Sequence, residues 1–106
     1  MRIHLTVADE AAARSLVRLA ELFGDEPSVT AGPEPAPDAE YVVRLGASET
    51  DGTAYGSAEL IRRADGFRRL ATHEGVIPEG ASAEERRKIV RQTLNRALLD
   101  VLRQET

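Results

Sequence analysis

Apolar and polar residues alternate at positions 2–7, with Ile3, Leu5 and Val7 on one side and Arg2, His4 and Thr6 on the other. That period of two predicts a strand covered on one face. The period then changes. Ala12, Leu16, Leu19, Ala20 and Phe23 recur at helical spacing, after Asp9 as a candidate N-cap and before Gly24 as a left-handed stop, which predicts a first helix. Residues 24–40 hold Pro27, Pro33, Pro35 and Pro37, which predicts a mobile connection with at most a short edge strand over 28–31. Residues 41–47, 53–63 and 67–75 read as three extended segments. They are separated by Asp51-Gly52 and Asp65-Gly66, residues that tolerate the positive φ of tight hairpins. Gly56 inside the middle segment predicts a bulge or the close approach of another backbone.

The longest helical pattern closes the chain. Ser82 and Glu85 have the spacing of a capping box, so the last helix is expected to begin at Ala83. Val90, Leu94, Ala97, Leu98 and Val101 share one stripe of it, opposite Gln92, Arg96, Asp100 and Arg103. The order β-α-(β)-β-β-β-α predicts an α+β two-layer sandwich. Its sheet is expected to be mostly antiparallel with both helices on one face, in a single accessory-sized domain over residues 1–106.

Composition narrows the chemistry. The 106 residues include no cysteine, which removes disulfides, thiolate metal sites, iron-sulfur ligation and a thiol nucleophile from consideration. No apolar run approaches the roughly 20 residues that span a bilayer, and the N-terminus lacks a signal-peptide core, so the expected location is the cytoplasm. The net charge of −4 disfavours a nucleic-acid or acidic-membrane partner. The total hides an asymmetry, because residues 1–53 carry 4 basic and 10 acidic side chains whereas residues 54–103 carry 10 and 7.

No catalytic, cofactor-binding or metal-ligating constellation emerges. His4 and His73 are the only histidines, and each reads as structural or superficial. The adjacent acids Asp9-Glu10 and Glu84-Glu85 sit at helix starts, where the macrodipole favours them, and read as caps. Arginine is the strongest bias: Arg44, Arg62, Arg63, Arg68 and Arg69 on the meander, then Arg86, Arg87, Lys88 and Arg91 on the first turns of the last helix. Guanidinium forks match carboxylate and phosphate geometry. Neighbouring residues of a strand point to opposite faces, which leaves Arg44, Arg62 and Arg69 as candidate anion-facing residues.

The run Leu94-Asn95-Arg96-Ala97-Leu98-Leu99-Asp100-Val101-Leu102-Arg103-Gln104-Glu105-Thr106 resembles the helix that closes the N-terminal region of oxygen-independent coproporphyrinogen III oxidase-like (coproporphyrinogen dehydrogenase) radical SAM proteins. In that family a Leu-Lys-Arg-x-Leu-Tyr-x-x-Leu-type helix leads through Thr-Gly into the catalytic barrel. Asn95 and Leu99 stand where the family carries lysine and tyrosine. The resemblance implies a non-catalytic N-terminal accessory domain of a heme-pathway oxidoreductase, docked on the barrel that follows in the same chain. The parent protein would hold a 4Fe-4S cluster and S-adenosylmethionine, and this domain neither. It also implies that Leu99, with Arg96 and Arg103, contacts the following domain. In an isolated domain that surface would stay exposed or support a weak homodimer. The alternative reading is a free-standing cytosolic interaction or regulatory module that uses an arginine-bearing face.

Overall fold

A computed structural model describes residues 2–8, 10–23 and 28–105, apart from the side chains of Glu10, Ala11 and Glu105. The expected Asp9 cap and Gly24 stop lie outside the described residues. The chain runs β1 (Arg2–Thr6), α1 (Glu10–Ala20), β2 (Ser28–Gly32), β3 (Tyr41–Thr50), β4 (Thr53–Arg62), β5 (Arg68–Val76) and α2 (Ala83–Glu105). The α+β class holds. Five strands form one sheet in the order β2-β1-β3-β4-β5. β1 pairs in parallel with both β2 and β3, whereas β3–β4 and β4–β5 are antiparallel, with longer ladders.

Local chemistry accounts for the boundaries. Asp51 (φ 50°) and Gly52 (φ 75°) both adopt the left-handed region, the geometry of a two-residue turn whose twist matches the flanking strands. The second hairpin is wider. The Arg62 N–H donates to the Phe67 carbonyl, and the Asp65 carboxylate accepts from the Phe67 N–H at 3.1 Å, so only Gly66 (φ 73°) needs positive φ. α2 starts at Ala83, and the Glu85 N–H donates to the Ser82 hydroxyl at 3.1 Å, the N-cap half of the capping box.

Strand period and register sort every residue onto one of two faces. Ile3, Leu5, Val43, Ala58 and Leu60 point toward the helices and form the core with Leu16 and Ala20 of α1 and Leu94, Ala97, Leu98, Val101 and Leu102 of α2. Gly56 lies on that same face. A Cβ there would meet the Thr93 backbone carbon at 2.6 Å and the Leu94 nitrogen at 2.8 Å, so α2 rests its main chain directly on β4. The β3–β4 register passes through Gly56 without a bulge, leaving close approach as the meaning of this glycine. Thr93 and Leu102, both buried, widen the apolar stripe beyond its sequence prediction.

The short edge strand expected over 28–31 is present as β2, and residues 33–40, expected to be mobile, are built into the fold. Residues 28–32 pair with β1, and the segment that follows has to return past β1 to the start of β3. Parallel crossovers are right-handed. Because β1 to β2 and β2 to β3 step in opposite directions across the sheet, α1 covers one face and residues 33–40 cover the other. His4 and Val42, whose side chains point away from the helices, are accordingly buried, as is Ala39. The Arg63 guanidinium donates to the Ala36 carbonyl at 2.9 Å, and the Glu40 N–H to the Arg2 carbonyl at 2.9 Å, which fastens the crossover at its middle and at its end. Prolines suit this segment because it needs no ladder hydrogen bonds. No helix among the described residues is long and apolar enough to cross a membrane.

Candidate functional site

β1 stops at Thr6, opposite Arg44, whereas β3 continues to Thr50 along β4. α1 is likewise the shorter helix, 11 residues against 23 in α2. At this end of the molecule the helix-side residues of β3 outrun the cover that β1 and α1 provide. A groove of about 640 Å³ opens there, between the start of α1, the far end of β3 and the first half of α2. Val7, Ala12, Leu45, Val90 and Leu94 line it with apolar surface, and Arg86, Arg87, Arg91 and Glu49 stand around it.

The charges do not cancel. Arg86 is paired with Glu49, bridging α2 to β3. Arg87 donates through Nε to the Ala83 carbonyl of its own helix at 3.3 Å. Among the described residues neither Arg87 nor Arg91 has a carboxylate partner. The two are one helical turn apart, so their guanidinium groups flank the same side of the groove. An apolar trough with two guanidinium groups that have no carboxylate partner among the described residues favours a ligand that is apolar along one side and anionic at its edge.

The candidate anion-facing arginines separate in the structure. Arg44 and Arg68 lie on the face away from the helices and share the Glu59 carboxylate, each at 3.9 Å. Arg62 and Arg69 lie on the helix-side face, and both stack on the Phe67 ring with 4.9 Å to its centroid. Arg62 also pairs with Asp65 at 3.6 Å, and Arg69 donates to the Gln104 side chain at 3.4 Å. Arg62 and Arg69 thus meet, Arg44 does not join them, and both groups have partners of their own. Arg96 and Arg103 are exposed on the outer side of α2, with Leu99 half-buried between them and outside the core.

One contact had no sequence signal. His73 Nε2 lies 2.5 Å from Asp100 Oδ2, joining β5 to α2 across 27 residues of sequence. Asp100 therefore sits at the flank of α2 over the sheet rather than on the wet side its spacing predicts. The buried His4 is structural, with Nδ1 at 2.7 Å from the Thr30 hydroxyl. Among the described residues no group of three His, Cys, Asp or Glu side chains could hold a metal ion.

No family model matches the sequence, and no curated protein matches it. Solved structures do share the fold. Protein VC0702 from Vibrio cholerae superposes with a TM-score of 0.62 at 13% identity, covering 98% of this chain and 95% of that one. A PelC dodecamer subunit from Paraburkholderia phytofirmans gives 0.55 at 16% identity, over 95% and 86% of the two chains. At such identities the likeness is one of fold.

Proposed function

We propose that this chain is a non-catalytic interaction domain whose working surface is the groove between α1, β3 and the first half of α2. The occupant is a partner segment with an apolar side and carboxylates along its edge. The observation that carries this reading is the pair Arg87 and Arg91, which flank an apolar trough without a carboxylate of their own among the described residues. The absence of cysteine fits a reducing compartment, and we place the domain in the cytoplasm.

The test is an amide-shift titration with two short amphipathic peptides, one Leu/Glu and one Leu/Lys. The acidic peptide should bind saturably, moving the amides of Ala12, Leu45 and Val90, and Arg87→Glu with Arg91→Glu should weaken it at least about tenfold. Equal shifts from both peptides, or none from either, would remove the proposal.

A second reading follows the resemblance of residues 94–106 to the leading domain of radical SAM coproporphyrinogen III oxidase-like proteins. It makes the partner a catalytic barrel of the same polypeptide, which would hold the 4Fe-4S cluster and S-adenosylmethionine. The stripe of Arg96, Leu99 and Arg103 outside the core favours it. The coding sequence after Thr106 decides: a Cys-x-x-x-Cys-x-x-Cys motif supports this reading, and a stop codon ends it.

A further inference from the structure

Proteins blunt the edges of their sheets, because a free row of N–H and C=O groups is a template for another strand. The two edges of this sheet are treated differently. β2 is five residues long and runs straight into Pro33. β5 is nine residues long, contains no proline or lysine, and keeps one register along β4 without a bulge. Among the described residues nothing pairs with its outer side. It also exposes Leu70 (67%) and Val76 (80%) on the face away from the helices. Its charged residues Arg68, Arg69 and Glu74 are what a pairing strand has to match.

We propose that β5 pairs with β5 of a second copy of this chain, antiparallel about a two-fold axis at Ala71, to make one continuous ten-stranded sheet. The charge pattern of the strand selects both partner and register. Centred on Ala71, the pairing sets Arg68 opposite Glu74 of the second copy, twice by symmetry, and Leu70 opposite Thr72. On the helix-side face it sets Arg69 opposite His73 of the second copy, whose own partner is the Asp100 carboxylate. Shifting the axis to Leu70 or Thr72 loses the Arg68–Glu74 pairs.

The helix layer accepts this arrangement. Thr93 of α2 packs on Gly56 of β4, and Ile89 packs on Gly75 of β5, so the axis of α2 runs between these two strands. With strands about 4.8 Å apart, a continuous sheet places the two α2 axes about 10 Å apart, within the range of packed helices. The β5-side flank of α2, which carries Ile89, Arg96 and Asp100, then faces its copy. Arg96 comes onto the side of Asp100 of the second copy. The inference is independent of the groove, which lies at the opposite flank of α2.

The chain has no cysteine, which makes single-cysteine crosslinking clean. Residues facing themselves across an antiparallel axis have Cα atoms about 4.5–5.5 Å apart, inside the disulfide range. Ala71→Cys should therefore oxidise to a covalent dimer, whereas Leu70→Cys and Thr72→Cys, each tested alone, should not. In sedimentation, Arg68→Glu and Glu74→Arg should each weaken self-association by about tenfold or more, and combining them should restore it. A chain that stays monomeric at high micromolar concentration, as expected if a following domain takes the α2 stripe, overturns the proposal. So does a dimer insensitive to both charge reversals, or one that crosslinks at position 70 or 72 instead.

Discussion

Gly56 is where a single missing side chain decides the packing of two layers. A Cβ at this position collides with backbone atoms of Thr93 and Leu94, which cannot move without lifting α2. Gly75 is also tight, but its nearest atom is Ile89 Cγ2 at 2.9 Å, the end of a side chain. Gly56→Ala should therefore cost about 2–3 kcal/mol in urea unfolding, the upper range for overpacking, and Gly75→Ala about 1 kcal/mol. Leu98 and Leu99 make a second contrast between neighbours. Leu98 is fully buried between α1 and the sheet, whereas Leu99 is outside the core. Leu98→Ala should lose about 2–5 kcal/mol, the scale of a core cavity, and Leu99→Ala at monomeric concentration no more than about 0.5 kcal/mol. A Leu99→Ala loss of 2 kcal/mol would place that residue in the core and remove it from any interface. Both leucines follow from helical phase read in the sequence, but the collision at Gly56 could be predicted only as one of two meanings.

At the scale of elements, α2 is held at its start by Ser82 and along its length by the sheet. Its first turn carries Glu84 and Glu85, which suit the positive end of the helix dipole. Ser82→Ala removes the acceptor for the Glu85 N–H and should cost about 1 kcal/mol, with the loss concentrated in the first turn. Amide exchange at residues 83–86 should accelerate more than exchange at residues 97–101, and uniform acceleration would contradict the local reading. The meander turns were legible because positive φ restricts them to few residue types. The course of residues 33–40 was not. Proline content says what a segment cannot do, and only the crossover between parallel strands assigned it a face of the sheet to cover.

The whole molecule stands on an aliphatic core assembled from both helices and the helix-side face of the sheet. Neither helix could bury its stripe alone, so the layers should form together. The described residues contain no three-ligand metal group, and the chain has no cysteine. Thermal unfolding should accordingly be one cooperative transition with the same midpoint in EDTA as in added zinc. A midpoint lowered by the chelator would point to a metal held by residues beyond those described.

The sequence by itself determined the α+β class, the last helix and its cap, the two hairpin turns and most of the core, because each rests on periodicity or on the backbone preference of a residue and its near neighbours. It also marked the arginines without saying which of them share a surface. Tertiary structure alone decided that Arg62 and Arg69 stack on one ring while Arg44 looks the other way, that Asp100 meets His73, and that Arg87 and Arg91 flank an apolar groove. The physical reason is the same in each case. These arrangements depend on strand order, on the relative lengths of β1 and β3, and on where α2 lies over the sheet, and those are relations between segments far apart in the chain.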